Sequence, residues 1–394
     1  MKHVIKRNCP NCNNKSYQDF ISIKRFQFYI DKKMKPQAEV SHVVCENCKF
    51  IYMNPVYTKY GFNKFFELAG NSYLPSKPRA DEQIKWLFKN KFLSSNSVIM
   101  DVGCADGKFL GLIHDKSIKK IGVDIDKHSI DSAKLNFKKH QDFNFICGDL
   151  GNFKYDFDPP SIIFMFHVLE HVKNPYLVLK MLKKISSKNT NLVVEIPILE
   201  KAIFSDDIVN INTYQHLSVF TKSTFHRLLK NVGWKIVSVL NQKNYNGYRV
   251  ICKKTKGNKT NINIDSEKVW INKFIEKKFS NINSIQKKIS NIKEKNVIIC
   301  GGGSHTEYLY QYTNLFYLKK ILVITDKDEK KKNKNFRGIK ILNLSDKIKN
   351  KFNMKNVNFI ISSYSNTNAI FKELIKLGIS KNKITKLYEN IESY

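Results

Sequence analysis

Residues 98–107 read VIMDVGCADG, and residues 122–126 read GVDID. An apolar run ending in Asp101 leads into a loop with glycines at Gly103 and Gly107, and a second apolar run ends in Asp124. Strand, tight turn and helix start in that order build a crevice at the carboxyl ends of parallel strands, with an acid at the tip of the second strand. Gly103 permits the turn, Gly107 lets the following helix pack closely, and Asp124 is placed to accept hydrogen bonds from both hydroxyls of a ribose. The glycines are spaced Gly-x-x-x-Gly rather than GxGxxG, so the loop lacks the pyrophosphate cradle of a dinucleotide site. That spacing favours a nucleoside cofactor, S-adenosylmethionine, over NAD. Asp149, in CGD after the third strand, is placed to read an adenine amino group.

Around this stretch, apolar runs at 97–101, 120–124, 143–147, 161–166 and 191–196 alternate with helical patterns at 108–116, 129–139 and 175–184. Such alternation predicts an α/β fold with a parallel, Rossmann-like sheet. Runs at 234–240 and 249–253 are expected as antiparallel additions at its edge, and a helical pattern at 80–92 precedes it. The polar stretch KKTKGNKTNINI at 253–264 reads as a linker. A helix is expected over 265–292, and NVIICGGG at 296–303 then opens a second, shorter α/β unit with strands at 321–326 and 357–362. The chain thus divides into three parts: 1–75, 76–255 and 256–394.

CPNC at 9–12 and CENC at 45–48 present Cys9, Cys12, Cys45 and Cys48 as two thiolate pairs on separate turns. Four thiolates suit tetrahedral Zn²⁺ and leave no open position, which predicts a structural rather than a catalytic site. A redox CxxC is the rival reading of either pair alone. Cys104, Cys147, Cys252 and Cys300 stand in apolar surroundings as small reduced residues.

With 68 Lys and Arg against 34 Asp and Glu, the net charge is +34. Such a balance points to an anionic partner when it is clustered. Here lysine is spread through the chain among Asn and Ile, and only KDEKKKNK at 327–334 is a basic run. Nucleic acid is therefore not an expected partner, and a phosphate-bearing small molecule is. No apolar run approaches the roughly 20 residues needed to span a bilayer, and MKHVIKRNCP lacks the apolar centre of a signal peptide. A cytoplasmic location without membrane partners is expected, as a monomer or homodimer.

DVGCADG, GVDID, CGD, FHVLEHVKNP and VVEIP stand in the order of the motifs of class I S-adenosylmethionine-dependent methyltransferases, which the chain resembles from 98 to 197. With the four-cysteine module before this core and GGGSHTEYL opening the unit after it, nearly the whole chain resembles the three-part nucleotide-sugar C-methyltransferases. The resemblance implies a central class I methyltransferase sheet, a small N-terminal zinc module and a C-terminal Rossmann-like domain. It implies an acceptor that is a nucleotide-linked deoxy-ketosugar. Methylation of such a substrate runs through an enolate, which needs a base near neutral pKa and a donor for the enolate oxygen. His216, in NTYQHLSVF, matches the family's YHEHL segment as the base, and His171, in LEHV, is a donor or substrate contact. Tyr73, in NSYLPSKP, matches an active-site tyrosine, and His167 joins Asp101, Gly103, Gly107, Asp124 and Asp149 on the cofactor side. Gln215 stands where the family has Glu. Loss of that carboxylate makes O-methylation of a sugar hydroxyl the alternative to C-methylation. More distant alternatives are a nucleic-acid methyltransferase, against which FHVLEH stands where a base-methylating motif would lie, and a binding protein without catalysis. The Gly301–Gly303 turn, with Asp326 beyond it, is expected near the nucleotide end of the substrate, with Ser304, His305 and Thr306 near phosphate.

Overall fold

The computed structural model describes residues 3–27, 37–62, 77–89, 95–204, 211, 214–240, 247–258, 264–344, 352, 356–363 and 366–389. An N-terminal module comes first, with β1 (Val4–Ile5), β2 (Tyr17–Gln27), β3 (Gln37–Cys45), β4 (Ile51–Met53) and β5 (Val56–Tyr57). The central unit follows with α1 (Lys77–Lys89), β6 (Val98–Val102), α2 (Lys108–Gly111), β7 (Lys119–Asp124), α3 (Lys127–Asn136) and β8 (Phe143–Cys147). It continues through β9 (Ile162–Phe166), α4 (Pro175–Ile185), β10 (Asn191–Pro197), α5 (Leu199–Phe204), β11 (Ser218–Val219), α6 (Lys222–Val232), β12 (Trp234–Leu240) and β13 (Gly247–Lys254).

The central sheet has the order β12-β13-β10-β9-β6-β7-β8. Its five strands from β6 to β10 run parallel, and β13 and β12 add antiparallel at one edge, as the sequence pattern predicts. The four leading residues of β9, in IIFMF, are buried because helices cover both faces of a parallel sheet. The chain order reverses between β6 and β9, so the crevice at their carboxyl ends is the ligand position of an open α/β sheet.

Local signals set most helix ends. The Asn174 side chain accepts the Leu177 amide at 3.1 Å ahead of Pro175 in the first turn of α4. Thr221 and Thr224 form a reciprocal cap on α6, which Gly233 ends at φ 98°. The helix expected over 108–116 is instead only α2. After it the backbone tightens, with Leu112 N–H donating to Phe109 O and Ile113 N–H to Leu110 O. Phe137 presses on this turn, 2.7 Å from where a Cβ on Gly111 would stand.

The N-terminal module is not a separate body. β11, from the central unit, pairs with β4 and completes a sheet of order β11-β4-β3-β2. Cys9, Cys45, Cys48, Phe50 and Tyr52 share one continuous core with Met100, Val123 and Met165 of the central sheet.

The C-terminal part comprises α7 (Ile264–Ser290), β14 (Asn296–Cys300), α8 (Ser304–Tyr312), α9 (Leu315–Leu318), β15 (Lys320–Thr325), β16 (Asn335–Phe336), β17 (Ile339–Leu342), β18 (Val357–Ile361), α10 (Thr367–Lys376) and β19 (Ile384–Lys386). Its sheet runs β16-β17-β15-β14-β18-β19, a second Rossmann-like arrangement. Helix α7, about 40 Å long at 1.5 Å per residue, joins the parts. Ile271 and Phe274 pack with Phe20 and Leu199, whereas Ile282, Ile285 and Ile289 enter the C-terminal core. Among the described residues no helix is long and apolar enough to cross a membrane.

Candidate active site

The turn after β6 is shaped for close approach. Gly103 lies at φ 81°, and a Cβ there would stand 2.3 Å from Val168 Cγ2. Its N–H donates to Val123 O at 2.7 Å, which folds the loop against β7. Asp124 Oδ2 accepts the Ala105 N–H and Oδ1 accepts the Asp126 N–H, each at 2.9 Å. Each oxygen keeps a lone pair for an incoming hydroxyl. Asp101 is buried behind the turn, and its carboxyl is pushed up to about 7 by burial and then by the charge of Asp124. Asp149 sits exposed at the rim, where Oδ1 accepts the Gly151 N–H at 2.8 Å. Asp101, Gly103, Gly107, Asp124 and Asp149 thus gather at the carboxyl ends of three neighbouring strands.

The turn after β9 carries the imidazoles. His167 adopts φ 54°, a left-handed conformation rare for a residue with a side chain. Its N–H donates to Glu195 O at 2.8 Å, and its ring lies between two glutamates, with Nε2 3.0 Å from Glu195 Oε1 and Nδ1 3.4 Å from Glu170 Oε1. Burial disfavours the imidazolium, but the neighbouring Glu170 and Glu195 carboxylates outweigh it and raise its pKa. This places His167 beside the turn after β6, with Nε2 bonded to Glu195 and Nδ1 at ion-pair distance from Glu170.

Sequence reasoning missed the other half of this network. Glu195 in β10 is fully buried and takes Arg249 Nε on Oε2, while Arg249 Nη2 donates to Glu82 Oε2 of α1 at 2.7 Å. Gln83 adds a bond to Glu195 Oε1 at 3.3 Å, and the guanidinium lies 4.7 Å from the Trp86 ring centre. A charged residue inside an apolar run of a doubly covered sheet must have a partner. VVEIP and YRVIC each carried that signal, and their antiparallel register sets Glu195 opposite Arg249.

Glu170, His171 and His216 meet on the far side of His167. The His171 and His216 rings lie 5.0 Å apart, edge to face. His171 Nδ1–H donates to Gln215 O at 2.9 Å and His216 Nδ1–H to Ile211 O at 2.8 Å. In its neutral form each ring therefore carries its lone pair on Nε2. His216 is buried, and burial followed by the neighbouring His171 brings its pKa down to about 3. It is a far weaker base than the near-neutral one the enolate chemistry calls for. Glu170 is held at about 2, where burial opposes ionisation but His167, His171 and His216 favour it. Gln215 donates through Nε2 to Tyr214 Oη at 2.9 Å. Tyr73 lies outside the described residues.

The N-terminal module fixes the segment that bears His216. His42 Nε2 bonds His216 O at 2.6 Å, Tyr57 Oη donates to Tyr214 O at 2.8 Å, and Met53 N–H donates to Leu217 O at 3.0 Å. Arg7 donates to Met53 O, Lys173 O and Leu217 O, and Arg227 donates to Cys48 O. Behind these contacts, Cys9 and Cys48 stand 3.5 Å apart at sulfur, as do Cys12 and Cys45. All four thiols are free and mutually within 4.8 Å. Tetrahedral Zn–S bonds of about 2.3 Å put sulfurs just under 4 Å apart, so the quartet fits Zn²⁺. The Cys48 amide and Asn11 Nδ2, each 3.5 Å from a sulfur, point N–H donors at the thiolates.

In the C-terminal unit the Gly302 N–H donates to Asp326 Oδ2 at 2.8 Å, and Lys331 Nζ pairs with the same oxygen at 2.9 Å. Thr306 Oγ1 donates to Gly301 O and meets Ser362 Oγ at 3.0 Å, and His305 is half-buried, its desolvation bringing its pKa down to about 4. Thr306 and Asp326 thus serve the turn's own structure.

Residues 77–239 match the family model described as a methyltransferase domain. This region is a class I S-adenosylmethionine-dependent methyltransferase domain, and through it the chain is a methyltransferase. No curated protein matches the chain. Solved structures similar to it include a protein from Pyrococcus horikoshii, with 16% identity and a TM-score of 0.39 over 46% of this chain and 92% of that one. A SAM-dependent methyltransferase from Aquifex aeolicus is 14% identical, with a TM-score of 0.36 over 43% and 89%. An S-adenosylmethionine-dependent methyltransferase from Clostridium acetobutylicum is 12% identical, with a TM-score of 0.38 over 50% and 99%.

Proposed function

We propose that the chain is a cytoplasmic enzyme that transfers the methyl group of S-adenosylmethionine to a sugar carried as a nucleotide sugar, at the end of the crevice marked by His171 and His216. The observation that carries this reading is the join between cofactor turn and imidazole pair. Val168 packs on Gly103, and the same short turn then delivers Glu170 and His171. His216 reaches that place on a segment held by the N-terminal sheet. Such a division, with the cofactor on the central sheet and the acceptor side built by an appended module, suits a small acceptor drawn into a closed site.

In this reading the acceptor gives up a proton, its carbon or oxygen bonds the methyl carbon, and the carbon–sulfur bond breaks to leave S-adenosylhomocysteine. His171 and His216 face the acceptor end with their Nε2 atoms. A hydroxyl acceptor is the second reading. It is favoured by Gln215, whose amide is spent on Tyr214 and supplies no carboxylate. The test is incubation with methyl-labelled S-adenosylmethionine and a panel of nucleotide sugars, with the product resolved by mass and its methyl located by NMR. Label entering a sugar decides for the reading, and the methylated atom separates carbon from oxygen. Label entering only RNA, or no acceptor at all, overturns it.

A further inference from the structure

We propose that Glu170, His171 and His216 hold a divalent first-row transition-metal ion at the acceptor end of the crevice, separate from the ion of the four-cysteine module. One ligand atom from each residue lies within 4.8 Å of the others. Bonds to such ions run about 2.0–2.2 Å, so closing the three onto one ion takes side-chain shifts of under about 1 Å each.

The carboxylate supplies the second observation. Glu170 is 1% exposed, and neither of its oxygens has a hydrogen-bond partner among the described residues. Its nearest polar neighbours, His167 Nδ1 at 3.4 Å and His171 Nε2 at 3.7 Å, approach at ion-pair range only. Burying a carboxylate without hydrogen bonds is costly, and a coordinated cation removes that cost. The imidazoles are oriented in the manner of metal ligands, each with Nδ1–H anchored on a backbone carbonyl, which turns Nε2 to the ion. Two imidazoles and one carboxylate select ions from Mn²⁺ to Zn²⁺, in contrast to the oxygen-rich cages of Ca²⁺ and Mg²⁺ and the thiolates of the N-terminal module.

The binding of the ion stands on these residues alone; its role rests on the methyl-transfer reading. An acceptor oxygen bound to the ion would be stabilised as an alkoxide or an enolate, which serves a hydroxyl and a ketosugar alike. Ligation and proton abstraction exclude one another at His216 Nε2, so metal dependence separates this assignment from a free histidine base.

The test uses the full chain, zinc-loaded at the cysteines and dialysed against a mild chelator, titrated with Mn²⁺ and followed by electron paramagnetic resonance. One Mn²⁺ per chain is expected, with electron spin-echo modulation from two imidazole nitrogens. Glu170→Gln and His216→Gln should each weaken Mn²⁺ by about tenfold or more while keeping one zinc and S-adenosylhomocysteine binding. Absent Mn²⁺ binding, unchanged binding in both variants, or modulation from water alone would overturn the site. If a variant also loses S-adenosylhomocysteine, the nitrogen signal of the unaltered chain decides. Failure to methylate any sugar leaves the Mn²⁺ result intact, so the two readings fail separately.

Discussion

Asp101→Asn should stabilise the protein by an amount that grows from pH 4 to 7 and is constant above. The carboxyl titrates at about 7 in the folded chain against 3.8 as an ordinary aspartate, because burial and then the Asp124 charge oppose its ionisation. Cys104 is the other titratable group facing it. Below pH 4 the group is protonated in both folded and unfolded chains and contributes no difference. Between pH 4 and 7 the folded chain holds a proton that the unfolded chain releases, so stability falls as pH rises. Above pH 7 the full penalty applies, about 3 units at 1.4 kcal/mol each, or about 4 kcal/mol. Asparagine has the same shape and no charge to bury, and no described residue hydrogen-bonds the Asp101 side chain. Urea unfolding of the cofactor-free chain, followed by tryptophan fluorescence, should therefore show a gain of up to about 4 kcal/mol at pH 8 that shrinks below about 2 kcal/mol at pH 5. An equal gain at both pH values, or a loss at pH 8, refutes the reasoning. A carboxylate kept at such a cost beside the cofactor turn makes sense if it faces a cation. A unit charge acting across a crevice at an effective dielectric near 20 is worth about 1–2 kcal/mol. The variant should thus weaken S-adenosylmethionine about tenfold more than S-adenosylhomocysteine, which lacks the sulfonium charge.

Three further outcomes follow from the packing. Stripping zinc with a chelator, or Cys45→Ser, should abolish methyl transfer while leaving S-adenosylhomocysteine affinity in place, since the module holds His216 but not the cofactor turn; calorimetry showing the affinity lost along with transfer would refute that division. Arg249→Met leaves Glu195 buried without its guanidinium and should cost about 3–5 kcal/mol, whereas Arg249→Met with Glu195→Gln should recover most of it, measured as shifts in the urea midpoint. Gly103→Ala puts a Cβ 2.3 Å from Val168 Cγ2 at φ 81°. Strain of about 1–2 kcal/mol from the positive φ alone should lower Tm and cofactor affinity, and adding Val168→Ala should restore the part due to the clash.

The strand–turn–helix around Gly103 was legible because its determinants are local. Asp101 and Asp124 end apolar runs, Gly103 and Gly107 sit within one turn, and strand follows helix closely enough for periodicity to show both. The short helix α2 escaped because its end is imposed by Phe137, a side chain some 26 positions on that presses against Gly111. The acceptor half escaped for a stronger form of the same reason. His216 was identified by its neighbours in sequence, yet what positions it is His42, 174 residues away, and Arg7, 210 residues from Leu217. Glu195 and Arg249 were each visible as charges in apolar strands, but only sheet register pairs them.

That asymmetry bears on how the four cysteines matter. A two-residue strand such as β11 has too few ladder bonds to order itself, since even a full hairpin alone is marginal in water. Here it is one edge of a sheet whose opposite face shares the core of the cysteine quartet, with Phe50 and Phe220 packed edge to face at 5.3 Å. The segment 214–219 therefore has little reason to hold its shape unless the module beneath it is closed, and closing that module is what a structural zinc does. The four-cysteine cluster and the imidazole pair, though far apart in sequence, form one mechanical unit: closing the cluster orders the segment that bears His216, and the contact of Gly103 with Val168 joins the turn after β9 to the turn after β6.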